Sequence, residues 1–508
     1  MKNLDLPRGS GILLPIFSLP SPWGIGDLGP AAFGFIDFLS DAGQCVWQVL
    51  PITPASAAYD HSPYHGSSAF ALDPLLVSPE LLAADGLIDD ARLHPAPAFP
   101  EERIDYPAVA RFKQALLAGA CFRFRRRMPD HDYTRFCAEN AAWLEDHARF
   151  SALAVRHSQG SWDRWPPDIR DRTPAAIRGL EDEMHDAIQD LKIEQYLLHR
   201  QWAQLRAYVA KKGIRLFGDL PIYVPHACTD VWVHPELFKL DGEGRPLAVS
   251  GVPPDDFSAT GQRWGHPVYR WDAHRETRYD WWRRRLARHF ALFDSVRIDH
   301  FRGLVGYWEI PAGETTAANG RWVEAPAADF FAELRRRFGC LPVVAEDLGT
   351  ITAEVRETLQ RLVGIPGMRV LQFGFSGDPA VNPHAPHLID ENAVAYTGTH
   401  DNAPCRGWIE ELATAAEKAC LERYLGRALS GEGIAWEMIR LVMMSRAHLS
   451  IIPAQDLLGL GAAARINTPG RMEGNWRWRM APGQFAALPR QRLRAMTEAF
   501  GRSDAPLG

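Results

Sequence analysis

Ser295-Val-Arg-Ile-Asp-His-Phe-Arg-Gly303 is the stretch around which the rest of the chain is organised. Ser295 to Ile298 read as the end of a buried strand, and Gly303 breaks it. Side chains alternate along a strand, so Arg297 and Asp299 project to one side. An arginine two residues from an aspartate on a shared face keeps that carboxylate ionised and aims it. A carboxylate held charged at the C-terminal end of a strand stands where a parallel barrel puts its chemistry. The same pair would also serve as a structural ion pair closing the strand, so its assignment turns on the remaining sequence.

Working outward, short apolar segments recur, each ending in a polar or glycine-rich loop. They are Gly11–Phe17, Cys45–Ile52, Ile214–Val224, Asp294–Asp299, Leu341–Glu346, Gly367–Phe375, Val394–Gly398 and Leu449–Ala454. They are rich in Val, Ile and Leu and show little alternation, as strands covered on both faces do. Helical patterns lie between several of them. Asp280 is placed to cap a helix with Trp282, Leu286 and Phe290 on one stripe, and Thr352 another with Val355, Leu359 and Leu362 inward. This alternation predicts an α/β fold, a (β/α)8 TIM barrel with inserted, mostly helical subdomains, spanning residues 1–508 as one unit. Residues from approximately 75 to 205, between the second and third strands, read as a helical insertion subdomain. Residues from approximately 250 to 266, which include two prolines and two large aromatics, read as a lid loop.

Composition narrows the function. Of the 508 residues, 46% are hydrophobic and 23% charged, an ordinary globular balance, and the net charge of −6 leaves no basic footprint for nucleic acid or an anionic membrane. A neutral substrate fits better than a phosphorylated one. The seven cysteines form no CxxC pair, so reduced thiols and a cytoplasmic location are expected. The N-terminal residues lack the apolar run of a signal peptide, and no run of about 18 apolar residues predicts a membrane span.

Three of the predicted strand ends carry acids: Asp299, Glu346 and Asp401. In a barrel these ends converge on one rim. Converging carboxylates repel, which leaves a neutral acid beside an ionised partner. Glycoside cleavage needs that pair, one group to protonate the leaving oxygen and one to attack or activate water. Asp219, in Gly218-Asp-Leu-Pro-Ile-Tyr-Val224, sits near the end of the third strand, and taken alone it reads rather as a turn residue before Pro221. His300 and His400 flank two of the acids, and with them could build a divalent metal site. The tight HxH or HExxH spacing of such sites is missing here, so no metal is expected.

Taken together, Gly218–Val224, Val296–Gly303, Val344–Gly349 and Tyr396–Asn402 resemble the motifs of the amylomaltases, 4-α-glucanotransferases of the α-amylase clan. Ser62-Pro-Tyr64, the Gly251–Gly265 segment, Asp456–Gly461, Asn467–Gly470 and Gly474-Asn-Trp476 match as well, so the likeness runs from about Gly11 to Trp478. The resemblance implies retaining transfer of α-1,4-glucan segments, with Asp299 as nucleophile, Glu346 as general acid/base and Asp401 as the acid that stabilises the transition state. It implies substrate-binding roles for Tyr64, Asp219, Phe257, Trp264, Arg297, His400 and Asn467. It implies no cofactor, α-1,4-glucans and malto-oligosaccharides as partners, and a monomer or weak homo-oligomer. An α-1,4-glucan hydrolase of the same clan and an inert glucan-binding barrel are the alternatives. The sequence departs from the family pattern in loops: SPYQ becomes Ser62-Pro-Tyr-His65, PDYFS has Asp256 for the tyrosine, GNPLY becomes Gly265-His-Pro-Val-Tyr269, and the LPHNY-like segment becomes Ala385-Pro-His-Leu388.

Overall fold

The computed structural model describes residues 8–503 apart from 90, 92, 94–97, 128–129, 158–160, 255–257, 350–354, 356, 359–363, 429–430 and 432. Among the described residues the strands are β1 (Gly9–Leu13), β2 (Val46–Gln48), β3 (Arg215–Leu220), β4 (Ala248–Val252), β5 (Gln262–Pro267), β6 (Ser295–Ile298), β7 (Gly306–Pro311), β8 (Arg321–Glu324), β9 (Val343–Ala345), β10 (Gly367–Val370), β11 (Ala393–Tyr396) and β12 (Leu449–Pro453). Eight of them close into a barrel in the order β1-β2-β3-β6-β9-β10-β11-β12, with every pairing parallel. All eight expected segments supply one strand each, and the expected (β/α)8 barrel is the fold.

The strands are shorter than the apolar segments that announced them. Gly367–Phe375, for example, is strand only to Val370 and then turns as a short 3-10 helix, Leu371–Phe375. Apolar residues continue past the strand ends because the rim turns are buried too. Within the barrel the period of two reappears as two cores. Leu13, Val46, Phe217, Val344, Met368, Val394 and Ile451 fill the interior, while Ile12, Trp47, Leu216, Val296, Val343, Ala395 and Ile452 pack outward. Both sets are apolar, so the sequence shows no alternation.

The stretch between β2 and β3 holds the helices Tyr106–Arg125, His131–Arg156, Pro174–Glu183 and His185–Lys211. Side chains of Asp105, Asp130 and Thr173 accept hydrogen bonds from the first-turn N–H groups of the first three. The expected boundary near residue 205 falls inside the last helix, which runs on to the turn before β3. The helix Asp280–Leu292 begins one residue earlier than a cap at Asp280 requires. Tyr279, at φ 55°, is its N-cap, and Asp280 sits in the first turn, paired with Arg283 and Arg284. A carboxylate is favoured there by the helix dipole whether or not it caps. Of the expected Thr352 helix, Thr352, Leu359 and Leu362 lie outside the described residues, and Val355 is buried.

A second sheet was not foreseen. β4 and β5 form a hairpin, and with β7 and β8 they make an antiparallel sheet in the order β5-β4-β7-β8. Of the segment expected as a loop, Gly251–Gly265, the two ends, Gly251–Val252 and Gln262–Gly265, thus belong to paired strands. The four strands come from two successive crossovers of the barrel, β3 to β6 and β6 to β9. Among the described residues no helix is long and apolar enough to cross a membrane.

Gly11 lies where β1 meets β2 so closely that a Cβ would stand 2.5 Å from the Val46 carbonyl oxygen and 2.6 Å from the Val46 Cβ. Neither atom can yield without moving a strand. Gly11→Ala is expected to cost about 1–3 kcal/mol of stability, read as a lowered urea midpoint; an unchanged midpoint contradicts this packing.

Candidate active site

β3 and β6 are neighbours, and their register sets Asp219 beside Arg297. Side chains opposite one another on paired strands share a face, so both point inward at the C-terminal mouth of the barrel. Arg297 Nη1 donates to Asp219 Oδ2 at 2.7 Å, and Arg297 Nη2 donates to Asp299 Oδ1 at 2.7 Å. The expected shared face of Arg297 and Asp299 is therefore observed. Arg297 is 4% exposed and Asp219 0%, whereas Asp299 is 29% exposed: one guanidinium joins a buried carboxylate to an open one. Burial works against the Arg297 charge, but Asp219 and Asp299 outweigh it and hold its pKa above the ordinary range.

The network continues across the mouth. Tyr64 Oη donates to Asp219 Oδ2 at 2.7 Å and lies 2.9 Å from His400 Nε2. A phenol has one proton to give, so His400 donates from Nε2 to the tyrosine oxygen. His400 Nε2 is also 3.3 Å from Asp401 Oδ2, and the Asn467 amide donates to Asp401 Oδ1 at 2.6 Å. The Tyr64 and His400 rings stack at 5.3 Å between centroids, with Trp476 5.7 Å from Tyr64 and 6.0 Å from His400. Asp401 is 37% exposed, again open to the mouth.

Glu346 follows β9 and is held from the nucleophile candidate's own turn. His300 has φ 49°, in the left-handed region, and its backbone N–H donates to Glu346 Oε2 at 2.9 Å while that of Leu348 donates to Oε1 at 2.7 Å. Such a backbone is strained for a non-glycine residue, and strain of this kind gathers at functional sites. Loss of hydration pushes the Glu346 carboxyl up to about 8, and the negative charge of Asp299 adds to the rise against the pull of Arg297 and the Leu348 N–H. Its hydrogen bonds position the carboxyl, while its surroundings keep it protonated at neutral pH. Burial lowers the His300 ring to about 4, so it is a neutral imidazole, and Trp264 of the hairpin meets it edge to face at 4.7 Å.

Asp299, Glu346 and Asp401 thus belong to one contact network with Tyr64, Asp219, Arg297, His400 and Asn467, and Trp264 borders it through His300. Phe257 lies outside the described residues. Sequence reasoning assigned no role to Trp476, although Gly474-Asn-Trp476 was among the matching motifs, and it missed Arg465. Arg465 donates to the backbone carbonyl of Asp401, a contact that no side-chain pattern announces. Among the described residues no three His, Cys, Asp or Glu side chains are grouped to hold a metal ion.

Replacing Arg297 by Met removes the cation and leaves the Asp219 carboxylate buried without its partner. A loss of about 3–5 kcal/mol in unfolding free energy is expected, with Asp219→Asn in the same chain recovering part of it. Urea unfolding of both variants checks this, and equal stability of Arg297→Met and the parent chain contradicts it.

Comparison with known proteins gives a consistent answer. A family model described as 4-alpha-glucanotransferase matches residues 14–485. The 4-alpha-glucanotransferase of Thermus thermophilus is 45% identical, over 98% of this chain and 100% of that protein. That of Synechocystis sp. is 44% identical, over 97% of this chain and 98% of its own. Among solved structures, an amylomaltase from Streptococcus agalactiae in complex with acarbose superposes with a TM-score of 0.94 at 36% identity, covering 98% of this chain and 100% of that one.

Proposed function

The chain belongs to the 4-alpha-glucanotransferase family, acting on α-1,4-glucans, and from that premise we propose how the groups at its barrel mouth divide the reaction. Asp299 Oδ1 is occupied by Arg297, which leaves Oδ2 as the attacking oxygen. It forms a bond to the anomeric carbon of the donor as the bond from that carbon to the glycosidic oxygen breaks. Glu346, protonated at neutral pH, gives its proton to the departing oxygen. The shortened glucan leaves, and a β-linked glycosyl–Asp299 remains. The 4-hydroxyl of an acceptor sugar then gives its proton to the Glu346 carboxylate, and its oxygen bonds to the anomeric carbon as the bond to Asp299 breaks. Two inversions restore the α linkage.

Asp401 is read as the group that binds ring hydroxyls more tightly as the ring flattens, so that it acts on the transition state. Asn467 donates to one of its oxygens and spares it reorientation, while the other faces the cleft beside His400. Tyr64 and Trp476 present an aromatic wall beside it, suited to a sugar face. Trp264, on the other flank at His300, is read as the platform that receives the acceptor. Phe257 keeps the substrate-binding role that the family likeness implies. Glucans and malto-oligosaccharides are the expected substrates, and the expected state is a monomer or weak homo-oligomer in the cytoplasm.

The observation that carries this reading is the raised carboxyl of Glu346 beside the arginine-held Asp299. A raised pKa keeps the acid competent below about 8, so kcat/KM for malto-oligosaccharides should fall as pH rises through about 8. With α-maltosyl fluoride, whose leaving group needs no proton, Glu346→Ala should still release fluoride while maltotriose cleavage drops by roughly 100-fold or more. Azide should then give the α-glycosyl azide, whereas Asp299→Ala should do neither. An inverted azide from Glu346→Ala, or fluoride release lost in Glu346→Ala but kept in Asp299→Ala, would reverse the roles. Maltotriose incubated with the parent chain should yield a ladder of longer sugars with little rise in reducing ends; glucose and maltose alone would mark a hydrolase.

A further inference from the structure

Two imidazoles from distant parts of the chain meet beside the site. His65 directly follows Tyr64, and His266 lies two residues beyond Trp264 on β5. Their ring centroids are 4.5 Å apart, with an angle of 46° between planes. His65 is also stacked on Tyr59 at 4.5 Å, and its Nδ1 is buried without a hydrogen-bond partner. His266 is only 7% exposed. Alternation along β5 puts Trp264 and His266 on one face. The strand face that brings Trp264 to His300 therefore brings His266 to His65.

Burial lowers the His65 ring to about 4 and holds His266 below the ordinary histidine range, with His65 adding to the latter. Two uncharged rings meet at neutral pH, where two cations would repel. Among the described residues, no titrating or charged group near the candidate catalytic carboxylates makes a hydrogen bond to either ring. Both positions are also among those where the sequence departs from the amylomaltase pattern, and the fold makes the two departures touch.

We propose that His65 and His266 form a clasp between the Tyr64 segment and the β4–β5 hairpin, positioning Trp264 to capture the acceptor sugar. They are positioning residues that act through Trp264, and the proposal rests on reading Trp264 as the acceptor platform. It follows that cleavage of the donor is independent of the clasp, while the choice of the glycosyl–enzyme between sugar and water depends on it.

The full chain and its His65→Ala, His266→Ala and doubly substituted forms are compared with α-maltosyl fluoride as donor and glucose as acceptor. Each single change should raise the glucose KM about threefold to tenfold and alter acceptor-free fluoride release by less than about twofold. The double variant should be little worse than the worse single, because both remove one contact. His65→Phe, which keeps a stacking ring, should restore most of the acceptor affinity. Amide hydrogen exchange in residues 258–267 should quicken in both single variants. Independent, additive effects, or an unchanged exchange rate in the hairpin, overturn the clasp. Trp264→Ala tests the underlying reading separately: if it leaves the glucose KM unaltered while hairpin exchange still quickens in the histidine variants, the acceptor role of Trp264 falls and the clasp stands.

Discussion

One buried cation organises the mouth of this barrel. Arg297 is nearly inaccessible, and its guanidinium faces carboxylates on two sides, Asp219 from the adjoining strand and Asp299 from the turn after its own. Burial pushes the Asp219 carboxyl up, and Arg297 is the strongest opposing influence. The arrangement is costly in isolation, since taking charges from water is offset only by close and well-aimed partners. Its return is geometric. The planar fork fixes one oxygen of Asp299 and so orients the other. Tyr64 joins the Asp219 carboxylate that Arg297 also holds, His400 joins Tyr64, and Asp401 lies beside His400, so the orientation spreads around the mouth.

Acids that look alike in the sequence therefore occupy different environments. Asp219 is sealed and paired; Asp299 and Asp401 are partly open, each with one side held and one side facing the cleft. Glu346 is poised differently again, gripped by backbone N–H groups of His300 and Leu348 yet raised by poor hydration and by a neighbouring charge. A raised carboxyl at Glu346 beside the arginine-held Asp299 can supply an acid and a nucleophile in one site. The left-handed turn at His300 links the two, because it follows Asp299 in sequence and offers its N–H to Glu346.

Around this rigid mouth the antiparallel sheet adds a second layer. Its hairpin reaches the site through Trp264 and its edge strand β8 is largely exposed. The barrel supplies the carboxylates at the mouth, and the inserted hairpin borders them. On the proposed roles, such a division lets acceptor handling vary without disturbing the carboxylates, which agrees with the departures from the family pattern at His65 and His266 lying outside the acids.

The barrel was legible because its strands are continuous runs of Val, Ile and Leu, buried on both faces and separated by helical periodicity, and because Asp299, Glu346 and Asp401 each stand just past or near such a run. The pairing of Arg297 with Asp299 was legible for a local reason, the two-residue period of a strand. The bond from Arg297 to Asp219 was not, since it depends on strand register across a helical crossover. Nor was the β4–β5 hairpin, whose glycines and prolines carry the signature of a loop and whose pairing with β7 comes from a separate crossover. The tight end of the matter is distance: residue type and short-range period determine which groups are present and which way a strand aims them, while only the closed barrel decides which strand lies next to which, and hence which charges are buried, which protons are held and which ring meets which.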